Sequence, residues 1–350
     1  MELLKRTVER IEGLNEDVMK ECRDRVDNLI KPQGSLGKLE DLAVQMSGIT
    51  GEMFPVLDNK AIIVMAADHG VCDEGVASAP QVVTVVQTYN IPKGITGVGA
   101  LAAVAGADLV TVDIGVQEDL EYGDTIINKK VKYGTDNMTK GPAMTYEEAV
   151  KALETGIEVA ESEIKKGRKI IGTGEMGIGN TTPSTAILSV LGEIAPEEIT
   201  GIGANLDASM VENKANVIRR AIALNCPDKK DPIDVLAKVG GLDIAGMAGT
   251  MLGCAANKTP CIVDGYISTM AALIACAIEP KTKNYLVTSH FSKEKGAKTA
   301  SELLGLTPML DMNMRLGEGS GAVLVFNIID AAINMNKAMI TFQEGGIGVV

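Results

Sequence analysis

From about residue 60 onward, short aliphatic runs alternate with longer stretches of helical periodicity. No other feature narrows the fold as far. Runs that are apolar throughout suit strands buried on both faces, and parallel strands need crossover helices between them. The runs are AIIVMAAD (61–68), DLVTVDIG (108–115), KIIGTG (169–174), CIVDG (261–265) and YLVTS (285–289), and a shorter strand is expected at the entry to TGIGANLD (200–207). Among the intervening helices, Thr145 and Glu148 form a TxxE capping box, and Ala149, Leu153, Ile157, Ala160 and Ile164 follow on one face. A second apolar face carries Val211, Ala215, Ile218 and Ile222. The pattern predicts an α/β fold with a parallel sheet flanked by helices.

At the ends of the chain the pattern is helical. Residues 2–29 read as one amphipathic helix, a Pro/Gly turn in KPQGSLGKLEDLA restarts a helix near Lys38, and GAVLVFNIIDAAINM continues helically after residue 320. These stretches are expected to pack together as a small helical domain (1–58 with 305–350) beside a large α/β domain (59–304). There is no internal repeat, low-complexity tract or long linker. Hydrophobic residues make up 46% of the 350, aromatics only 3%, and Trp is absent, so the core must be Ile, Leu, Val, Ala and Met.

A formal net charge of -13 without any basic block leaves nothing to neutralise a phosphate backbone, which argues against nucleic acid and anionic membranes as partners. The six cysteines include no CxxC pair, and several sit in apolar runs, as expected of a reduced cytoplasmic protein. The charged MELLKRTVERIEG does not read as a signal peptide, and no apolar run is long enough to span a bilayer.

The strands run out into Asp68-His69-Gly70, Asp113-Ile114-Gly115, Gly174-Glu175-Met176-Gly177, Asp264-Gly265 and Ser289-His290. In open parallel sheets, ligands bind beyond the carboxyl ends of the strands, at a topological switch point. The loop GEMGIGNTTPSTA (174–186) poses a problem there, because it sets a lone acid, Glu175, among glycines at a helix N-terminus that favours anions. It is neither GxGxxG nor GxxxxGK[ST], which removes the usual support for dinucleotides and ATP. Its glycines with Asn180, Thr181 and Thr182 suit a single phosphate; an ordinary βα turn with Asn/Thr caps explains them too. In MRLGEGSGA (314–322), Glu318 lies between glycines just before a helix. An apolar ligand covering it would raise its pKa and make it a general base, whereas an uncovered Glu318 would be a solvated helix-start acid. Lys214 borders the apolar face of its helix and can reach inward as a phosphate counter-charge, or simply be solvated. Two histidines, His69 and His290, exclude a His-rich metal site, and HExxH and GxSxG are absent. His69 reads as a hydrogen-bonded strand-end residue; Asp243 and Asp264 suit a catalytic role, though caps or supporting groups are the commoner reading.

Taken together, these segments resemble the nicotinate-nucleotide:dimethylbenzimidazole phosphoribosyltransferase family. The matching stretches are KPQGSLGKLE (31–40), AADHGVCDEGVA (66–77), TGVGALAAVAGADLVTVDIGV (96–116), GTGEMGIGNTTP (172–183), GIGANLD (201–207), GGLDIAGMAG (240–249), DGYISTMAAL (264–273), SHFSKEKGA (289–297) and MRLGEGSGA (314–322), in family order over nearly the whole chain. The resemblance implies a homodimer with a Rossmann-like large domain, an active site at the carboxyl ends of the strands, and no metal or redox cofactor. It implies attack by a ring nitrogen of 5,6-dimethylbenzimidazole on the anomeric carbon of nicotinate mononucleotide, with nicotinate leaving and β inverting to α. Glu318 would be the general base and Glu175 a secondary acid/base or ribose-ordering group. Gly177, Gly179, Asn180 and Thr181, with Lys214 and with Gly203 and Asn205 of GIGANLD, would hold the 5′-phosphate. Gln87, Ala79 and Leu316 would meet the acceptor base, and Asp68, His69, Asp243, Asp264 and Ser289 would support the reacting groups from behind. One position departs from the pattern. Some relatives carry Ser before the Pro of AxSPxxVTxxQ; here the stretch is ASAPQVVTVVQT, with Ala79 and a retained Gln87. This leaves the acceptor open among benzimidazole, its methylated forms and a purine. A related transferase for another azole or a purine, or a non-catalytic nucleotide sensor, are the competing readings.

Overall fold

A computed structural model describes residues 1–203 and 208–347. Helices α1 (Glu2–Glu9), α2 (Glu16–Asp27) and α3 (Lys38–Thr50) precede β1 (Lys60–Ala67). Helices α4 (Val82–Asn90) and α5 (Gly97–Ala105) lead to β2 (Ala107–Gly115) and β3 (Ile126–Asn128), and α6 (Tyr146–Lys165) leads to β4 (Ile170–Met176). Next come α7 (Thr181–Gly192), α8 (Pro196–Ile199), α9 (Ala208–Asn225), α10 (Pro232–Val239) and α11 (Leu242–Ala256) before β5 (Cys261–Val263). Helix α12 (Tyr266–Ile278) crosses to β6 (Leu286–Thr288), and α13 (Ala297–Leu304) and α14 (Ser320–Ala338) complete the order.

The six strands form one sheet in the order β3-β2-β1-β4-β5-β6. Every pairing is parallel. The chain therefore builds outward from β1 in one direction, then returns to build outward from β4, and the switch point falls between β1 and β4. All eight residues of β1 are buried, as its unbroken apolar run requires of a central strand. Alternation assigns its two faces. A Cβ built on Gly172, beside Ile62, would meet Ala322 and Phe326 of α14, whereas one on Gly246 of α11 would meet Met65 and Ile114. Helices α14 and α11 thus cover opposite faces of the same strand.

Five expected strands are present. The expected strand at the entry to TGIGANLD is not: residues 200–203 are irregular, and 204–207 lie outside the described residues. Strand β3 had no apolar run to announce it; three residues suffice at a sheet edge. The expected single helix over 2–29 is two helices. The side chain of Asn15 accepts from the Val18 N–H and starts a new helix, and a cap competes well against continuation through Gly13. Helices α2, α3 and α14 meet in a small cluster of Cys22, Val26, Ala43 and Val44 with Met335 against it, while Leu4 of α1 joins the main core. Among the described residues no helix is long and apolar enough to cross a membrane.

Candidate active site

The two central strands deliver their ends side by side. Past β1, the carboxylate of Asp68 accepts from the Gln117 N–H at 2.9 Å, and burial raises its pKa. The next residue, His69, is fully buried with Nε2 3.4 Å from Asp243 Oδ1. Asp243 is the second residue of α11. On β4, Glu175 pairs in register with Met65 and so points to the α11 face. Asn180, which precedes α7, joins these groups: its Nδ2 donates to Glu175 Oε2 and, at 3.1 Å, to Asp243 Oδ2. Burial, with Asp243 and Asp264 nearby, pushes the Glu175 carboxyl up to about 8. It is therefore mostly protonated near neutral pH, so an acid can sit at an anion-favouring helix start without repelling the anion.

The glycines of this loop answer first to packing. A Cβ on Gly177 would lie 2.5 Å from the Ala67 carbonyl oxygen and 2.9 Å from His69 Nε2, and one on Gly179, at φ +91°, would strike Cys72 Sγ. The loop is pressed against the exit of β1. Beyond it, Lys214 Nζ donates to Thr181 Oγ1 at 2.6 Å. Lys214 is buried, not solvated, and burial pushes its ammonium down to about 8. A Cβ on Gly203 would stand 3.1 Å from Thr181 Oγ1 and 3.4 Å from Lys214 Nζ. Thr181, Lys214 and Gly203 thus converge at the N-terminus of α7. Asn205 lies outside the described residues. Helix α9 is held in place by Glu74, which accepts from Arg220 at 2.6 Å, Asn137 at 2.8 Å and Thr139 at 2.9 Å. These donors hold its carboxyl down at about 2.

Glu318 is buried, with a left-handed backbone at φ +63°. Its carboxylate crosses to the start of α5, where Oε2 accepts from the Val98 N–H at 3.0 Å. Burial raises its pKa against these hydrogen bonds. Its own N–H faces Glu175 Oε1 at 3.4 Å. A Cβ on Gly317 would collide with the Glu175 carboxyl, and one on Gly174 with the Glu318 carbonyl. The glycines beside the two acids let the Glu175 carboxyl reach the Glu318 backbone. Asp264 fixes the same loop, accepting from the N–H groups of Gly319 (3.2 Å), Gly321 (2.7 Å) and Ala322 (3.1 Å). Ser289 Oγ donates to the Asp264 carbonyl at 2.7 Å.

A cleft opens at this end of the sheet, walled by Ala79, Glu175, Thr181, Gly203, Tyr266 and Leu316 among others. Gln87 is not in its wall; it is half-buried on α4 and its Oε1 accepts from Asn90 at 3.0 Å. The sequence reading missed two features. One is the α5 start that receives Glu318; TGVG with Thr96 as N-cap was its only local signal, and nothing there pointed to residue 318. The other is Tyr266, buried in the wall with its hydroxyl 3.2 Å from Thr185 Oγ1; its place at the first turn after Asp264-Gly265 was the available clue.

Comparison with known proteins extends over this whole arrangement. Residues 11–347 match a family model described as phosphoribosyltransferase. The nicotinate-nucleotide–dimethylbenzimidazole phosphoribosyltransferase of Alkaliphilus metalliredigens is 60% identical over 349 residues, covering 100% of both chains. The protein of that name from Clostridioides difficile is 49% identical, covering 99% of this chain and 100% of its own. A crystal structure of the Thermus thermophilus enzyme superposes with a TM-score of 0.91 at 36% identity, over 96% of this chain and 100% of that one. With its strand order, its switch-point cleft and full-length matches on both sides, this chain belongs to that phosphoribosyltransferase family.

Proposed function

We propose that this protein moves the 5-phosphoribosyl group of nicotinate mononucleotide to 5,6-dimethylbenzimidazole, giving α-ribazole 5′-phosphate and nicotinate. The observation that carries the reading is the buried pair of carboxyls, Glu318 and Glu175: Glu175 lines the cleft, Glu318 follows its wall residue Gly317, and Thr181, bonded to Lys214, lines the same cleft at the α7 start. The 5′-phosphate docks at Thr181, Lys214 and Gly203, where the helix dipole and a buried ammonium favour an anion. A ring nitrogen of the acceptor then forms a bond to the anomeric carbon. The bond from that carbon to the pyridinium nitrogen breaks, its electron pair leaves with nicotinate, and attack from the opposite face inverts the configuration. The proton on the acceptor's other ring nitrogen passes to Glu318, whose raised pKa suits a base that must both take and release it. Glu175, mostly neutral, orders ribose hydroxyls near the reacting centre.

Ala79, in the cleft wall, puts a methyl where some relatives have a hydroxyl, which leaves the acceptor open among benzimidazole, its methylated forms and a purine. By family resemblance the protein works as a homodimer. The test mixes purified protein with nicotinate mononucleotide and 5,6-dimethylbenzimidazole, benzimidazole or adenine, and follows nicotinate and α-nucleotide by chromatography. Acceptor-dependent nicotinate release is expected. Nucleotide binding with no release for any acceptor would instead identify a sensor.

A further inference from the structure

His290 belongs to SHFSKEKGA, a stretch to which the reaction above gives no task. It follows β6, is buried, and forms part of the cleft wall beside Gly265. Its hydrogen bonds settle its tautomer. Ser289 Oγ has one proton, and that proton goes to the Asp264 carbonyl at 2.7 Å. The same Oγ lies 3.0 Å from His290 Nδ1 and must therefore accept, which makes Nδ1 the N–H donor. The Asp264 carboxylate, 4.0 Å from Nδ1, favours a proton on that side. In the neutral ring the lone pair then sits on Nε2. No described residue donates to Nε2. Glycines make the room for the ring: a Cβ on Gly321 would overlap Nδ1, and one on Gly265 would lie 3.3 Å from Nε2.

A lone pair on the neutral ring in a cleft wall repels a phosphate and accepts from a hydroxyl. The phosphate has its own site at Thr181 and Lys214, and the ribose hydroxyls are the donor's remaining hydrogen-bond donors. We propose that His290 anchors a ribose hydroxyl of the phosphoribosyl donor through Nε2, with Ser289 and the Asp264 carbonyl setting the tautomer. This inference rests on the donor being a ribonucleotide, as proposed above.

The experiment compares nicotinate mononucleotide with its 2′-deoxy and 3′-deoxy analogues. Dissociation constants and nicotinate release are both measured for wild type, His290→Ala, His290→Gln and Ser289→Ala, with melting temperatures alongside. Wild type is expected to favour the ribonucleotide over one analogue by about 10- to 100-fold. His290→Ala should bring that ratio close to unity. His290→Gln should restore part of it, because the amide oxygen accepts, and Ser289→Ala should weaken it. A ratio unchanged in His290→Ala, or a wild type indifferent to both analogues, would overturn the inference. Should wild type bind the nucleotides yet release no nicotinate, the proposed reaction fails while the binding ratio still decides the role of His290. Binding of none of the three would remove both.

Discussion

At the scale of single residues, two glutamates with raised pKa values differ in what holds them. Glu318 keeps its carboxylate on a helix start through the Val98 N–H, and the work we propose for it is proton transfer. Glu318→Ala is expected to lower turnover by about 100-fold or more while the dissociation constant for nicotinate mononucleotide stays within a few-fold; steady-state kinetics with calorimetry reads both. Glu175 makes a prediction about stability. Its carboxyl sits near 4.5 unfolded and about 8 folded, so the folded state binds more protons between those values. Stability tied to it is fully present below pH 4.5 and falls as pH rises through about 8. Glu175→Gln removes that slope. Relative to wild type, the variant should gain melting temperature between pH 5 and pH 8.5, and parallel melting curves across that range would refute the assignment. At this scale the sequence was informative where glycines flanked an acid. It could not say that the Asn180 amide would turn to Glu175 and Asp243, because those partners come from other elements.

Among elements, the close approach of helices is what fixes the site. Helices α6 and α11 pack so tightly that a Cβ on Gly249 would strike the Leu153 carbonyl, and one on Gly156 the Gly246 carbonyl. Backbone cannot yield as a side chain does. Gly249→Ala should therefore cost about 1–3 kcal/mol by overpacking, seen in urea unfolding, and should shift Asp243 at the head of α11. Asp264 ties the start of α14 to β5 with three N–H acceptances. Asp264→Ala leaves buried donors without partners and should destabilise by at least about 2 kcal/mol. Asp264→Asn, which keeps one acceptor oxygen, should cost less. If both variants melt like wild type, the carboxylate is not what anchors the loop of Glu318. The capping box at Thr145 was legible from four residues and is present, because a cap is local. The break between α1 and α2 was not, since an amphipathic pattern continues across it and only the cap at Asn15 decides.

For the molecule as a whole, α4 and α5 leave large apolar side chains exposed. Val82 and Val86 of α4, Ile95 just before α5, and Val104 of α5 are exposed, Val104 by 80%. The homodimer we propose would cover them. Light scattering should then give twice the 36.7 kDa chain mass, and Val86→Asp with Val104→Asp should shift the protein toward monomer. A dimer that survives both changes would have its interface elsewhere. At this scale, sequence and tertiary structure divide the work by range. By itself the sequence determined what is carried by periodicity and near neighbours: a parallel α/β sheet, its five main strands, a few helix starts, and acids lodged among glycines at strand ends. Only the tertiary structure decided the strand order, the switch point between β1 and β4, and the meeting of Glu175, Glu318, Asp243 and Asp264 from four separate elements. Parallel strands of similar aliphatic composition can pair in many orders, and nothing local distinguishes one from another. The order is selected by how α11 and α14 fit opposite faces of the same strand, and that is a property of the packed molecule.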